Sequence, residues 1–228
     1  KQRAEQSALW EKAFPLGEID RQTPVWRYLC ARGLGDLVPS RELRFVKRLA
    51  CWEVPDGQNI DGAAKARLVG EFPAMLARLT NAEGKFITLH RTYLTADGSK
   101  APVHSAKKLA AGAVENGVIR LYPASGVVCL AEGIETALSV HALTGLPAWS
   151  VVSLSGMKRF GLETIPDGVR TIRICGDNDR SYAGAAGAYE LASRLRRSRP
   201  ELEVSVHIPQ AAGTDWNDVL LAHGMLKL

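Results

Sequence analysis

Six carboxylates are spread through the second half of the chain as three close pairs: Glu132 and Glu135, Asp177 and Asp179, Asp215 and Asp218. The first pair follows the apolar run Val127-Val128-Cys129-Leu130, the second follows a run ending at Cys175, and Asp177 stands 45 residues after Glu132. If those runs are neighbouring strands of a parallel sheet, the acids are delivered to one rim, because open parallel sheets carry their chemistry at the carboxyl ends of the strands. Mutual repulsion among so many charges costs several kcal/mol unless a hard cation compensates it. Mg²⁺, or Mn²⁺ in its place, suits such a rim: it accepts a few carboxylates, keeps several waters and leaves those positions open to phosphate oxygens. Taken singly, each acid has a plainer reading as a helix N-cap, and Asp215 or Thr214 stands where such a cap belongs.

The elements that must position these acids alternate. Strands are expected at 127–130, 148–154, 171–175 and 203–208, with helices at 134–143 and about 182–197 and a further helix opening near Asp215. That alternation predicts an α/β fold with a central parallel sheet flanked by helices. In the 182–197 segment Ala185, Ala188, Ala192 and Leu195 share a stripe. Arg194, Arg196 and Arg197 complement the helix dipole at its end, and Pro200 stops it. The first half reads as a smaller mixed α/β region, with helical spacing over 1–14 and about 23–33, the latter opening on Thr23-Pro24 and ending at Gly33. A hairpin follows, its arms at 74–79 and 86–94 joined by Asn81-Ala82-Glu83-Gly84. In its second arm His90, Thr92 and Leu94 face one way and Arg91 and Tyr93 the other. The expected division is 1–123 and 124–228.

A chain of 228 residues, 46% hydrophobic and 23% charged, can bury the core of one large domain or two small ones. No run approaches the roughly 18 apolar residues of a membrane-spanning helix, and Lys1-Gln2-Arg3-Ala4-Glu5-Gln6 lacks the apolar stretch of a signal peptide. A cytoplasmic protein is expected. Cys30, Cys51, Cys129 and Cys175 form no C-x-x-C pair and read as free thiols. A start that looks like mid-helix suggests a segment of something longer. Charge is segregated: residues 1–126 hold 19 Lys and Arg against 13 Asp and Glu, residues 127–228 hold 10 against 11. A localised positive surplus is expected of a polyanion binder, although scattered solvated charges give the same sum.

Ala131-Glu132-Gly133-Ile134-Glu135-Thr136-Ala137-Leu138 and Cys175-Gly176-Asp177-Asn178-Asp179-Arg180 resemble the two signature motifs of the Toprim domain, shared by bacterial DnaG-type primases, topoisomerases and some nucleases. Gly213-Thr214-Asp215 through Asp218 resembles the third acidic motif of DnaG-type primases, with Asn217 where the family has an acid. Tyr28-Leu29-Cys30-Ala31-Arg32-Gly33-Leu34 is similar to the Y-L-x-x-R-G-I/L segment of primases. Leu89-His90-Arg91-Thr92-Tyr93-Leu94, Gly98-Ser99-Lys100-Ala101 and Lys107-Lys108 resemble the region before Toprim in plasmid, phage and mobile-element primases.

The resemblance implies a Toprim catalytic domain preceded by a basic subdomain, together making a primase core that synthesises RNA on single-stranded DNA. Glu132 would serve general acid/base catalysis or metal binding and Asp177 and Asp179 would bind Mg²⁺, with Glu135, Asp215 and Asp218 as further candidate ligands. Arg91, Lys100, Lys107, Lys108 and Arg120 would grip template phosphates or the ribonucleoside triphosphate. Lys158, Arg159 and Arg180 lie in loops beside the acids, and Arg180, next to Asp177 and Asp179, would touch a phosphate near the metal. A helicase, another replication protein or fused domains outside this segment are the further implied partners, and no membrane. A Toprim nuclease and a non-catalytic nucleic-acid binding module are the alternatives. His90 reads as a hairpin residue rather than a base, Ser153-Leu154-Ser155-Gly156 as a phosphate nest or a plain turn, and Trp26, Trp52, Trp149 and Trp216 as core or base-stacking residues.

Overall fold

In the computed structural model, which describes residues 2–54, 66–109 and 117–223, the first half is built on a five-stranded antiparallel sheet. Its order is β1 (Phe14–Pro15), β2 (Leu43–Glu53), β3 (Arg67–Thr80), β4 (Phe86–Tyr93) and β5 (Lys107–Leu109). The hairpin of β3 and β4 is present, with Ala77 opposite His90. Strand periodicity sorts its two faces. Leu76 and Leu89 pack under helix α1 (Gln2–Lys12) around Trp10, whereas Met75, Ala77 and Leu79 pack under helix α2 (Pro24–Cys30) around Val25, Trp26 and Tyr28. The long strand β2 is absent from the sequence expectation because a register shift between Val46 and Leu49 breaks its alternation.

The second half is a four-stranded, wholly parallel sheet in the order β7 (Ala148–Ser150), β6 (Val127–Ala131), β8 (Thr171–Cys175), β9 (Glu203–His207). Ala131 lies opposite both Ser150 and Cys175, and Cys175 opposite His207, so all four strands end on one line. Helices α3 (Ile134–Thr144) and α6 (Trp216–His223) cover one face, α4 (Leu154–Arg159) and α5 (Ala183–Ser198) the other. The strand expected to reach residue 154 stops at Ser150: Val152 takes a positive φ of 74°, and Ser153 Oγ caps α4 by accepting the Gly156 N–H at 3.1 Å. Ser153 to Gly156 is thus a helix start.

The two sheets meet through a connector and a shared core. Val118 exchanges backbone hydrogen bonds with Thr80 at the end of β3, and Ile119 does the same with Ser150 on β7. One buried cluster runs from Trp26 and Tyr28 of α2, through Met75 and Leu79, to Ile134, Ala137 and Leu138 of α3 and Leu220 of α6. Helix α3 is therefore apolar on most sides, as an element buried between two layers must be. Cys51, Cys129 and Cys175 are buried free thiols and Cys30 an exposed one. No helix among the described residues is long and apolar enough to cross a membrane.

Candidate active site

Where β6 and β8 end, a cavity of about 440 Å³ is lined by Glu132, Glu135, Asp177, Asp215 and Asp218 from the parallel-sheet half and by Arg32, Lys100 and Lys107 from the antiparallel half. Glu132 directly follows Ala131, and its carboxylate receives the Leu154 N–H while the Ser150 hydroxyl donates to its carbonyl at 2.9 Å. Burial nevertheless raises its pKa, and the charge of Asp179 adds to the effect. Asp177 is more strongly affected. Burial first, then the charges of Asp215, Glu132, Asp179 and Asp218, push its pKa up to about 7, and its Oδ1 is buried without a partner.

The other aspartates have local structural duties. Asp179 accepts N–H bonds from Gly184 at 2.7 Å and Ser181 at 2.9 Å, and the Ser181 hydroxyl; this last bond and the Gly184 N–H hold its pKa at about 2. It caps the approach to α5, does not line the cavity, and reaches Asp177 and Glu132 through its charge. Gly184 permits this closeness: a Cβ there would stand 2.7 Å from the Asp177 carbonyl oxygen and 3.0 Å from Asp179 Oδ2. Asp215 and Asp218 form a reciprocal capping box on α6. Asp215 Oδ1 accepts from the Asn217 and Asp218 N–H groups at 2.7 and 2.9 Å, and Asp218 Oδ2 accepts from the Asp215 N–H at 2.9 Å.

Asn217, the departure from the acidic motif, donates its side-chain amide to the Arg32 carbonyl at 2.8 Å and to Ser139 Oγ at 3.0 Å. A carboxylate cannot make the bond to the carbonyl, so the amide ties α6 to the end of α2. Glu135, expected among the metal ligands, has both oxygens occupied: Lys107 Nζ lies 2.7 Å from Oε2, and the Tyr28 hydroxyl donates to Oε1. Burial opposes its ionisation, yet Lys107 and Tyr28 hold its pKa at about 2. Among the described residues no three His, Cys, Asp or Glu side chains converge on one point, so a metal would have to draw the carboxylates inward. The unpartnered, repelled carboxylate of Asp177 fits that requirement, and two or three carboxylates from separate strands suit a hard cation.

The basic residues divide by face. Lys107 pairs with Thr92 and Lys108 with Arg91 across β4 and β5, so the two neighbouring lysines point to opposite sides of the sheet. Lys108 binds Glu53 and the Trp52 carbonyl, each at 3.0 Å, and Arg91 borders a separate groove with Gln6 and Trp52. Arg120 lies over the Trp149 ring at 5.0 Å and donates to Thr80. Lys158 faces Glu190 at 3.8 Å, Arg159 is exposed at the end of α4, and Arg180 is exposed beside Gly213. Of these seven only Lys107 lines the cavity. Arg32 does too, with its guanidinium 3.8 Å from the centre of the Tyr28 ring; it is the cation that sequence reading missed, although the Y-L-x-x-R-G segment contains it.

His90 is buried with an unpartnered Nδ1, and burial pushes its pKa down to about 4. Trp26 and Trp149 belong to the core, Trp216 donates to the Gly176 carbonyl at 3.2 Å, and Trp52 is exposed. Val152, a β-branched residue at φ 74°, lines the cavity and is the kind of backbone strain that gathers at functional sites.

Residues 1–121 match the family described as a domain of unknown function, DUF7146, and residues 127–225 match the Toprim domain. No curated protein sequence matches the chain. Several solved structures share its fold over 98% of its length. The E. coli primase catalytic core has a TM-score of 0.64 at 13% identity, with 77% of that chain covered. A DNA primase domain from Pseudomonas aeruginosa has 0.61 at 14%, with 75% covered. A DnaG primase catalytic domain bound to single-stranded DNA has 0.61 at 12%, with 77% covered. The chain belongs to the DUF7146 family and carries a Toprim domain, in the fold of the DnaG primase catalytic cores.

Proposed function

We propose that this primase-like chain is a metal-dependent nucleotidyltransferase that builds short RNA primers on single-stranded DNA. One observation carries the reading: a single cavity has a carboxylate wall with an unpartnered buried oxygen on Asp177 and a cationic wall of Arg32, Lys100 and Lys107. That polarity suits a polyanion brought in with a cation. Asp177, with Asp215 and Asp218, would hold Mg²⁺ or Mn²⁺. When bound, the ion would neutralise charge between the primer 3′ hydroxyl and the α-phosphate of the incoming nucleotide. Arg32, Lys100 and Lys107 take the triphosphate oxygens. Glu132, with its raised pKa and half-buried carboxylate, accepts the proton of the 3′ hydroxyl as that oxygen bonds to the α-phosphorus and pyrophosphate leaves. Residues 1–123 then supply the cations and the template surface, and residues 124–228 the acids. Support for a DNA template comes from the basic excess of the first half and from the likeness to a primase domain bound to single-stranded DNA.

The test is to incubate the protein with single-stranded DNA, labelled ribonucleotides and Mg²⁺ or Mn²⁺. Short RNA products, lost on chelation and in Asp177→Asn, are expected. Shortened DNA in the absence of ribonucleotides would instead identify a nuclease, and DNA binding indifferent to metal and to Asp177→Asn would identify a non-catalytic module.

A further inference from the structure

Of the three cations at the cavity, two are held by one buried pair. Glu135 is only 7% exposed, and one of its oxygens receives the Lys107 ammonium at 2.7 Å. The other receives the hydroxyl of Tyr28, itself wholly buried, and the face of that tyrosine ring carries the Arg32 guanidinium at 3.8 Å. The chain of contacts crosses three elements: α2 supplies Tyr28, the first turn of α3 supplies Glu135, and β5 supplies Lys107.

A lysine ammonium is a compact charge on a flexible stem, and unrestrained it samples many rotamers or falls onto other carboxylates of the cavity. A carboxylate that is buried and doubly hydrogen-bonded does not follow it. Glu135 therefore acts as a fixed anchor, and the Tyr28 ring fixes the plane of Arg32. Resting on the nucleotidyl-transfer reading, we propose that Tyr28 and Glu135 are positioning residues that set Lys107 and Arg32 to grip the triphosphate of the incoming ribonucleotide. Glu135 is then no metal ligand, since Lys107 already balances its charge.

The test measures binding of a fluorescent ATP analogue with Mg²⁺ by anisotropy, and binding of Mn²⁺ alone by electron paramagnetic resonance, with thermal unfolding as the check on folding. Glu135→Gln is expected to weaken nucleotide binding roughly 10-fold, the usual scale for residues that orient a binding group. Mn²⁺ affinity should stay within about twofold, and the nucleotide effect should vanish in a Lys107→Ala background, because it runs through that lysine. Tyr28→Phe, which keeps the ring, should weaken the nucleotide about threefold by loosening Glu135, and carries the test if Glu135→Gln does not fold. A fall in Mn²⁺ affinity, an effect of Glu135→Gln that persists without Lys107, or tighter nucleotide binding would each overturn the inference. Wild-type protein that binds no nucleotide would overturn this inference and the primer-synthesis reading together. Variants that bind as well as a binding wild type would overturn this one alone.

Discussion

Asp177 is half-buried and His90 buried, and burial acts on the two ionisable groups with opposite sign. For Asp177 the disfavoured form is the anion: its pKa of about 7 means that metal-free protein at pH 8 must hold a charge its surroundings repel. Asp177→Asn is therefore expected to raise the unfolding free energy of metal-free protein at pH 8, read by urea titration, by about 1 kcal/mol after discounting for the water that reaches a half-buried group, while abolishing synthesis. For His90 the disfavoured form is the cation, and of its charged neighbours Glu135 favours protonation while Lys107 opposes it. The unfolded chain takes up a proton near pH 6.5, the folded chain only near 4. Stability is thus complete above 6.5 and falls as pH drops towards 4, by up to about 3 kcal/mol. His90→Leu is expected to flatten that part of the stability curve, measured by urea unfolding at stepped pH; an undiminished slope would assign the proton to another group.

At the scale of elements, the loop after β8 and the start of α5 are fitted to each other. A methyl group at Gly184 would meet the Asp177 carbonyl oxygen at 2.7 Å, and a backbone atom cannot move aside without moving the loop. Gly184→Ala is expected to cost about 1–3 kcal/mol in unfolding free energy, the usual range for overpacking, and to lower Mn²⁺ affinity by displacing Asp177. Strand β6 was legible in the sequence as a short apolar run, β8 and β9 because polar and apolar residues alternate in them, and β3 and β4 because they flank a Gly-containing loop. Strand β2 was not, since the irregularity between Val46 and Leu49 puts Lys47 and Arg48 where alternation predicts one apolar residue. Helix α4 was lost for a related reason: Val151 and Val152 continue the apolar run of β7, and only the positive φ at Val152 and the Ser153 cap turn the chain out of the sheet.

For the molecule as a whole, the decisive feature is that the cations and the acids reach the cavity from different halves of the chain. Surplus charge alone does not identify which cations matter. Lys100→Ala is expected to weaken binding of ATP with Mg²⁺ about tenfold, the loss of one charge-assisted contact, whereas Lys108→Ala, on the far face and paired with Glu53, is expected to leave it unchanged; isothermal titration reads both. Equal losses in the two variants would mean that the nucleotide lies elsewhere.

Local patterns in the chain were enough to announce the α/β class, the parallel strands and the acids at their ends, because periodicity and strand-to-loop transitions are properties of neighbouring residues. They could not tell which acid is left unpartnered and which is already engaged. Asp179, Asp215 and Asp218 spend hydrogen bonds on helix starts, Glu135 is taken by Tyr28 from 107 residues away and by Lys107, and Asp177 alone of these keeps a buried oxygen without a partner. Those distinctions arise from contacts between segments remote in the chain, and only packing the two sheets around α3 brings the segments together.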